Sequence, residues 1–214
     1  MLIEQVPTVF RMIYPKTVWR IPKEEKTVYL TFDDGPIPEV TPFVLDLLRE
    51  KGIKATFFCV GDNVRKHPEV FKQVIDEGHL VGNHTYNHLA GLTNWSRKYI
   101  RNVQKAEEYI ESKLFRPPHG TFRFGQFLFL RRHYDIVFWD VVTRDYNSKL
   151  SGNEVLDIVK KYTRNGSIIV FHDSLKAEKN IHEVLPQAID FLKEEGYRFE
   201  TLSPQNIKQA KRIL

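Results

Sequence analysis

The chain has very little cysteine and no long apolar run. Cys59 is the one cysteine among 214 residues, so no internal disulfide can form and a disulfide-stapled scaffold is excluded. It lies within the apolar segment 55–60, which predicts a small buried thiol in the core. No segment approaches the ~18 apolar residues that a membrane-spanning helix needs, so we expect no membrane span.

The chain also lacks a strong excess of either charge. Its 32 Lys and Arg against 27 Asp and Glu give a net charge of +5, and the basic residues are scattered among acidic ones. No nucleic-acid-binding motif accompanies them, so we expect no nucleic-acid partner. No feature of the sequence indicates an oligomeric state.

An export signal is another feature that the sequence lacks. Residues 1–20 contain prolines and basic residues but no continuous apolar segment, unlike a secretory signal peptide. We therefore expect a cytoplasmic protein by default, with an export segment missing from this chain as the alternative.

Strand-like and helix-like segments alternate along the chain. A hydrophobic content of 42% and a charged content of 28% fit one globular domain. The alternation predicts an α/β fold with a mostly parallel sheet, open or closed into a barrel. The predicted strands are 27–30, 55–60, 79–82, 135–139, 167–171 and 197–201, and the predicted helices are 38–51, 68–77, 95–113, 153–162, 182–195 and the tail from 204.

Ionisable side chains follow four of the predicted strands. In parallel α/β folds the active site lies at the carboxyl ends of the strands, so these side chains are the candidates for chemistry. They are Asp33 and Asp34, His84 and His88, Asp140 and Asp145, and His172 and Asp173.

Asp33 and Asp34 are adjacent carboxylates at the end of a buried strand. Neighbouring side chains on a strand point to opposite faces, but the turn at Gly35-Pro36 would let both reach one cleft. Two such charges repel unless a cation lies between them or only one is left free. We interpret them as one metal ligand and one base. The alternative is an Asp-Gly-Pro turn that caps the helix beginning near Glu39.

His84 and His88 are spaced at i and i+4. On a helical turn they would share one face, with Cβ atoms roughly 5–6 Å apart. Their ring nitrogens could then meet one cation at about 2.0–2.1 Å. Two histidines and one aspartate give three protein ligands and leave a position for water, as catalytic zinc sites do. The alternative is a pair of surface or core histidines.

Five motifs in this order resemble the polysaccharide deacetylases of carbohydrate esterase family four, the NodB homology domain. The motifs are residues 31–36 (TFDDGP), 84–88 (HTYNH), 116–120 (RPPHG), 139–146 (WD through DY) and 170–173 (VFHD). The resemblance runs from about Thr27 to Leu202. It implies a single-domain distorted (β/α) barrel with fewer than eight regular strands. We expect residues 27–214 to form this domain and residues 1–26 to be an N-terminal extension packed on it.

The resemblance also implies a role for each matching residue. Asp34, His84 and His88 would hold one divalent ion, usually zinc, with cobalt, nickel or manganese as other choices. Asp33 would be the base that takes a proton from a metal-bound water, and Arg116 would pair with it. His172 would be the acid that protonates the leaving amine, and Asp145 would tune it.

Four residues depart from the family pattern. His119 stands where tyrosine is usual, and its backbone N–H is the group that the resemblance assigns to the tetrahedral oxyanion. Tyr146 stands where tryptophan is usual, and Val142 where aspartate is frequent. Val170 replaces a leucine in the apolar pocket for the acetyl methyl. These changes put substrate choice in doubt more than catalysis.

The function that the resemblance implies is metal-dependent removal of N-acetyl groups from N-acetylglucosamine in chitin-like or peptidoglycan-like glycans. Such enzymes often act outside the cytoplasm. One alternative is a catalytically idle carbohydrate-binding domain, although Asp33, Arg116 and His172 speak against it because binding needs no base or acid. Another is a deacylase of small amides or O-acetyl esters, which fits the missing export signal better.

Overall fold

The computed structural model of the protein describes residues 4, 5 and 12–213, with side chains as far as Lys211. Within these residues the chain forms eight strands and eight helices. The strands are β1 Thr27–Asp33, β2 Thr56–Cys59, β3 Leu80–Asn83, β4 Leu114–Phe115, β5 Asp135–Ile136, β6 Val141–Val142, β7 Ile168–His172 and β8 Arg198–Phe199. The helices are α1 Thr41–Glu50, α2 Gly61–Lys66, α3 Pro68–Asp76, α4 Ser96–Ala106, α5 Phe124–Leu130, α6 Gly152–Tyr162, α7 Glu178–Glu194 and α8 Pro204–Ile213.

Seven strands form a curled parallel sheet in the order β5-β4-β3-β2-β1-β7-β6. The two-residue strand β8 pairs in parallel with the beginning of β1, at Thr27 and Val28. The sheet does not close between β5 and β6. The predicted distorted barrel with fewer than eight regular strands is therefore confirmed, as an α/β half-barrel.

Strand β1 lies inside the sheet, between β2 and β7, and is buried along its whole length. Parallel sheets are covered on both faces, so their strands are nearly continuous apolar runs. Alternate residues enter different clusters: Leu30 and Phe32 pack with the helices around the sheet, whereas Tyr29 joins a cluster on the other face. This alternation fixes the direction of Asp33, which faces the same way as Thr31.

The segment before β1 spans the opening of the sheet. Backbone bridges join Val18 to Val137 and Arg20 to Ser167, on the two sides of the opening. Val18 is fully buried, and the ring of Trp19 stacks on Phe138 with centroids 4.1 Å apart. The division into 1–26 and 27–214 stays a prediction, and most of residues 1–11 lie outside the described residues.

Two strands and two helices were not expected from the sequence. They are β4, β6, α2 and α5. Strands β4 and β6 have two residues each, too few for an alternating pattern, and no longer apolar run was recognised around them. The predicted helix over 95–113 is wrong beyond Ala106, because the chain leaves the helix there to enter β4. The predicted burial of Cys59 is confirmed. Among the described helices, none is long and apolar enough to cross a membrane.

Replacing Trp19 tests whether the N-terminal segment belongs to the cooperative folding unit. Trp19→Ala removes a buried ring, and we expect it to lower the free energy of unfolding by about 3–5 kcal/mol. Met12→Ala, in the same segment but 78% exposed, should change it by less than about 0.5 kcal/mol. Urea unfolding of both variants measures this. Equal stabilities would mean that the segment unfolds separately.

Candidate active site

A cleft of about 280 Å³ lies at the carboxyl ends of the strands. It is lined by Asp33, Asp34, His84, His88, Pro117, His119, Trp139, Val142, Tyr146, Val170, His172 and Lys176. Of the predicted site residues, Arg116 and Asp145 lie behind the wall of the cleft and contact Asp33 and His172. Lys176 was not expected here, and no motif marks it.

Asp33 and Asp34 reach the same cleft because the backbone leaves the extended conformation at Asp34. Asp34 has φ 85°, the left-handed region that non-glycine residues rarely adopt. Both carboxylates line the cleft, as expected, and the positive φ at Asp34 adds a bend one residue before Gly35-Pro36. The conformation costs of order 1–3 kcal/mol. It turns the Asp34 side chain away from the direction that a continuing strand would give it.

Asp34, His84 and His88 converge, as predicted for metal ligands. Asp34 Oδ1 lies 3.2 Å from His88 Nε2 and 3.7 Å from His84 Nε2, and the three ligand atoms lie within 4.8 Å of one another. Ligands at about 2.0–2.1 Å in a tetrahedral site are about 3.3 Å apart. Asp34 Oδ1 is buried without a hydrogen-bond partner. One carboxylate and two imidazoles are a donor set that suits zinc, so these residues fit a divalent ion.

The ring of His84 is held in the orientation that a ligand needs. Its Nδ1 lies 2.8 Å from the carbonyl oxygen of Arg116. A carbonyl can only accept, so Nδ1 carries the proton and Nε2 keeps its lone pair for a cation. Burial lowers the pKa of His84 well below its ordinary value, which keeps the ring neutral.

The two histidines do not share a helical turn, and this expectation is wrong. Residues 84–90 form a loop, with Thr85 at φ 66° and His88 at φ 55°. The loop is held by side-chain contacts instead of helical ones: Thr85 N donates to Asn83 Oδ1, and Leu89 N donates to Thr85 Oγ1. The rings still meet, with centroids 5.1 Å apart.

Strained backbone is concentrated around the cleft. Among the described residues, six non-glycine residues have positive φ, and Lys16 is the one that lies outside the loops of the site. The others are Asp34, Thr85, His88, His119 and Arg144. Such conformations persist where the surrounding structure enforces them, and they are frequent at functional sites.

Arg116 forms a fully buried ion pair with Asp33. Its Nη1 donates to Asp33 Oδ1 at 2.6 Å and to Thr31 Oγ1 at 2.8 Å, and Nη2 donates to Phe138 O at 3.0 Å. Burial raises the pKa of Asp33, and the Arg116 guanidinium opposes that shift. Among the described residues, Asp33 is not a member of the group of three converging ligand atoms.

His172 forms a second pair with Asp145. His172 Nδ1 lies 2.7 Å from Asp145 Oδ1, and the His172 backbone N–H donates to Asp145 Oδ2 at 2.7 Å. Burial alone lowers the pKa of His172, but the Asp145 charge and hydrogen bond outweigh it and raise the pKa to about 9. The edge of Tyr146 contacts the imidazole, with ring centroids 4.8 Å apart.

His119 lies in a short 3₁₀ turn, Pro118–Gly120, and has φ 59°. Its ring meets that of His88 edge to face, with centroids 4.8 Å apart. It is not a member of the converging set of ligands in the described residues. Burial lowers the pKa of His119, so its ring is neutral near pH 7.

Asp173, one of the ionisable residues that follow the predicted strands, contacts the loop that carries Asp34. Its carboxylate accepts hydrogen bonds from Gly35 N at 3.1 Å and Thr41 Oγ1 at 2.7 Å. Its own N–H donates to Asp33 O at 3.1 Å. The side chain is 1% exposed, so it acts beneath the cleft.

Comparison with known proteins agrees with this architecture. A family model described as polysaccharide deacetylase matches residues 20–126. The chain is 35% identical over 192 residues to a peptidoglycan-N-acetylglucosamine deacetylase of Bacillus cereus, which covers 86% of this chain and 90% of that protein. It is 36% identical over 163 residues to the chitooligosaccharide deacetylase of Azorhizobium caulinodans, which covers 72% of this chain and 77% of that protein.

Solved structures show the same fold. A crystal structure of a peptidoglycan N-acetylglucosamine deacetylase superposes with a TM-score of 0.79 at 31% identity, and the match covers 92% of this chain and 95% of that one. The chain belongs to the polysaccharide deacetylase family. The relatives named above are deacetylases of amino-sugar glycans.

The pair between His172 and Asp145 gives a testable pH dependence. Asp145→Asn removes the charge that favours the imidazolium, so we expect the pKa of His172 to fall from about 9 by about 1–3 pH units. The proton would then be lost at lower pH than in the parent protein. Imidazole NMR titration measures the change, with the exposed Asp157→Asn as the control. An unchanged titration of His172 would mean that Asp145 does not set its protonation.

Proposed function

We propose that the protein is a metal-dependent hydrolase that removes N-acetyl groups from N-acetylglucosamine units of chitin-like or peptidoglycan-like glycans. One observation carries the proposal: three converging ligand atoms lie in the same cleft as one member of each of two ion pairs, Asp33–Arg116 and His172–Asp145. Binding alone would need neither pair. The names of the relatives support an amide bond in an amino sugar as the target.

Asp34, His84 and His88 would hold one divalent ion, with zinc the first choice and cobalt, nickel or manganese the others. Such an ion lowers the pKa of a water molecule and polarises a carbonyl group. The chain's own contribution is to bring one carboxylate oxygen and two imidazole nitrogens together.

Asp33 is the proposed general base. Arg116 holds one of its oxygens at 2.6 Å and favours the ionised form. The attacking water gives its proton to Asp33, and the Arg116 pair keeps that carboxylate from becoming a fourth ligand. General acid–base groups contribute typically about 10²–10⁴-fold in rate.

His172 is the proposed general acid. Its pKa of about 9 leaves the ring protonated near neutral pH, and Asp145 occupies Nδ1, so Nε2 delivers the proton. Protonation of the amine nitrogen is what lets a poor leaving group depart. Above pH 9 the acid form is lost, and we expect the rate to fall there.

The His119 N–H and the apolar wall complete the proposal. A fixed backbone donor aimed at the tetrahedral oxyanion is worth roughly 10²–10³ in rate, and the prolines before His119 hold this peptide. Val142, Val170 and Trp139 line the same cleft and would contact the acetyl methyl. Tyr146 would contact the sugar near His172.

Acetate release tests the function directly. Chitooligosaccharides, peptidoglycan fragments, acetylxylan and small N-acetyl compounds should be compared, and we expect release from the first two. His84→Ala should lose both the metal and nearly all activity. Asp33→Asn should keep the metal and lose about 10²–10⁴ in rate.

Three results would contradict the proposal in different ways. No release from any substrate by metal-loaded protein would favour the idle carbohydrate-binding domain. Release from only small amides or O-acetyl esters would favour the other deacylase. An Asp33→Asn protein that cannot bind metal would mean that the roles of Asp33 and Asp34 are exchanged.

His119 is the histidine most easily mistaken for a ligand. Because its proposed contribution is the backbone N–H, we expect His119→Ala and His119→Tyr to keep the metal and to stay within about tenfold of the parent rate, unlike an acid–base group. Metal affinity and kcat should be measured together. A collapse of either, as large as that of His84→Ala, would make the imidazole a functional group.

A further inference from the structure

We propose that Asp173 is a positioning residue that aims Asp34 at its two histidine partners. The proposal rests on the metal site of the proposed function. Asp173 touches none of the reacting atoms and is not one of the converging ligands. It acts through the backbone on both sides of Asp34.

Asp173 contacts the residues immediately before and after Asp34, whose φ is positive. Its N–H donates to the carbonyl oxygen of Asp33, immediately before Asp34. Its Oδ1 accepts the N–H of Gly35, immediately after Asp34. Two hydrogen bonds from one residue therefore fix the peptides on either side of the left-handed φ at Asp34.

The neighbouring glycine is required for this contact. A Cβ built on Gly35 would lie 1.9 Å from Asp173 Oδ2, closer than any side chain permits. Gly35 thus lets a buried carboxylate approach the backbone directly. Its φ is not positive, so the close approach, and not backbone freedom, is what calls for glycine here.

The opposite oxygen of Asp173 is anchored to helix α1. Thr41 Oγ1 donates to Oδ2 at 2.7 Å and itself accepts the N–H of Ile37 at 2.8 Å. One oxygen of the Asp173 carboxylate is therefore bound by Thr41, and the other oxygen binds the Gly35 N–H. Two further contacts hold the same two peptides: the Asp34 N–H donates to Phe58 O, and Asn63 Nδ2 donates to the Asp34 carbonyl oxygen. Of these three residues, Asp173 is the one that contacts both peptides.

The test compares two variants that lose the hydrogen bond between Gly35 N and Asp173 Oδ1 with one variant that keeps it. Asp173→Ala deletes the carboxylate, and Gly35→Ala pushes it away without changing its charge. Both should weaken zinc binding about 10–100-fold, the range seen when residues that orient a ligand are lost. Asp173→Asn keeps an oxygen for Gly35 N and should stay within about threefold of the parent affinity.

Leu48→Ala is the matched control. It removes a buried core side chain from helix α1 and leaves the hydrogen bonds of Asp173 in place, so we expect a lower melting temperature with zinc affinity within about threefold of the parent. Zinc affinity is measured by competition with a chromogenic chelator. A second readout is the imidazole NMR spectrum of the metal-free protein, because His88 Nε2 lies 3.2 Å from Asp34 Oδ1 and reports on that oxygen.

The expected result is weakened zinc binding and a displaced His88 signal in Asp173→Ala and Gly35→Ala alone. An Asp173→Ala protein with parent affinity and an unmoved His88 signal overturns the positioning role. An Asp173→Asn protein that binds zinc as weakly as Asp173→Ala also overturns it, because the charge of Asp173, and not its hydrogen bond to Gly35, would then set the zinc affinity. If the parent binds no zinc but the His88 signal still moves in Asp173→Ala, the positioning role stands and the proposed function fails.

Discussion

The rest of the site depends on one constraint: two carboxylates, Asp33 and Asp34, are adjacent at the buried end of β1. Asp33 and Asp34 cannot share a low-dielectric cleft unless each has its own countercharge. The chain separates them by reversing the backbone at Asp34. Asp33 then faces a buried guanidinium, and Asp34 faces two imidazoles that could share a cation with it.

Arg116 connects the two halves of this arrangement. Its side chain pairs with Asp33, and its carbonyl oxygen orients the ring of His84. The same guanidinium donates to the backbone after β5 and lies 4.0 Å from the centre of the Phe58 ring. Removing one partner of a buried pair typically costs about 3–5 kcal/mol. Loss of the Arg116 side chain would therefore disturb the base and the packing, while the carbonyl oxygen that orients His84 would remain.

The sequence was sufficient for the parts of the site that depend on residue type and order. Alternating strands and helices predicted the α/β sheet, and carboxylates and histidines after strands predicted which edge carries the chemistry. The convergence of Asp34, His84 and His88 agrees with the prediction, although their roles as ligands stay a prediction. The strands β4 and β6 were not predicted, because each has only two residues and pairing with neighbours defines them.

The backbone conformation of the site also could not be predicted from the sequence. The i, i+4 spacing of His84 and His88 predicted a helical turn, whereas side-chain hydrogen bonds from Asn83 and Thr85 hold a loop. Asp173 was a candidate from its place after a strand, but its contact with Gly35 was not predicted, because the two residues are 138 positions apart in the chain and the contact exists only in the folded sheet. Local patterns carry no information about such a pair.

The central claim is the division of labour between two neighbouring carboxylates. Anomalous diffraction at the zinc edge, from crystals of the zinc-loaded protein, tests it most directly. The account predicts one zinc peak in contact with Asp34, His84 Nε2 and His88 Nε2, with Asp33 still paired with Arg116. A zinc ion bound by Asp33, or found away from these three residues, would contradict it.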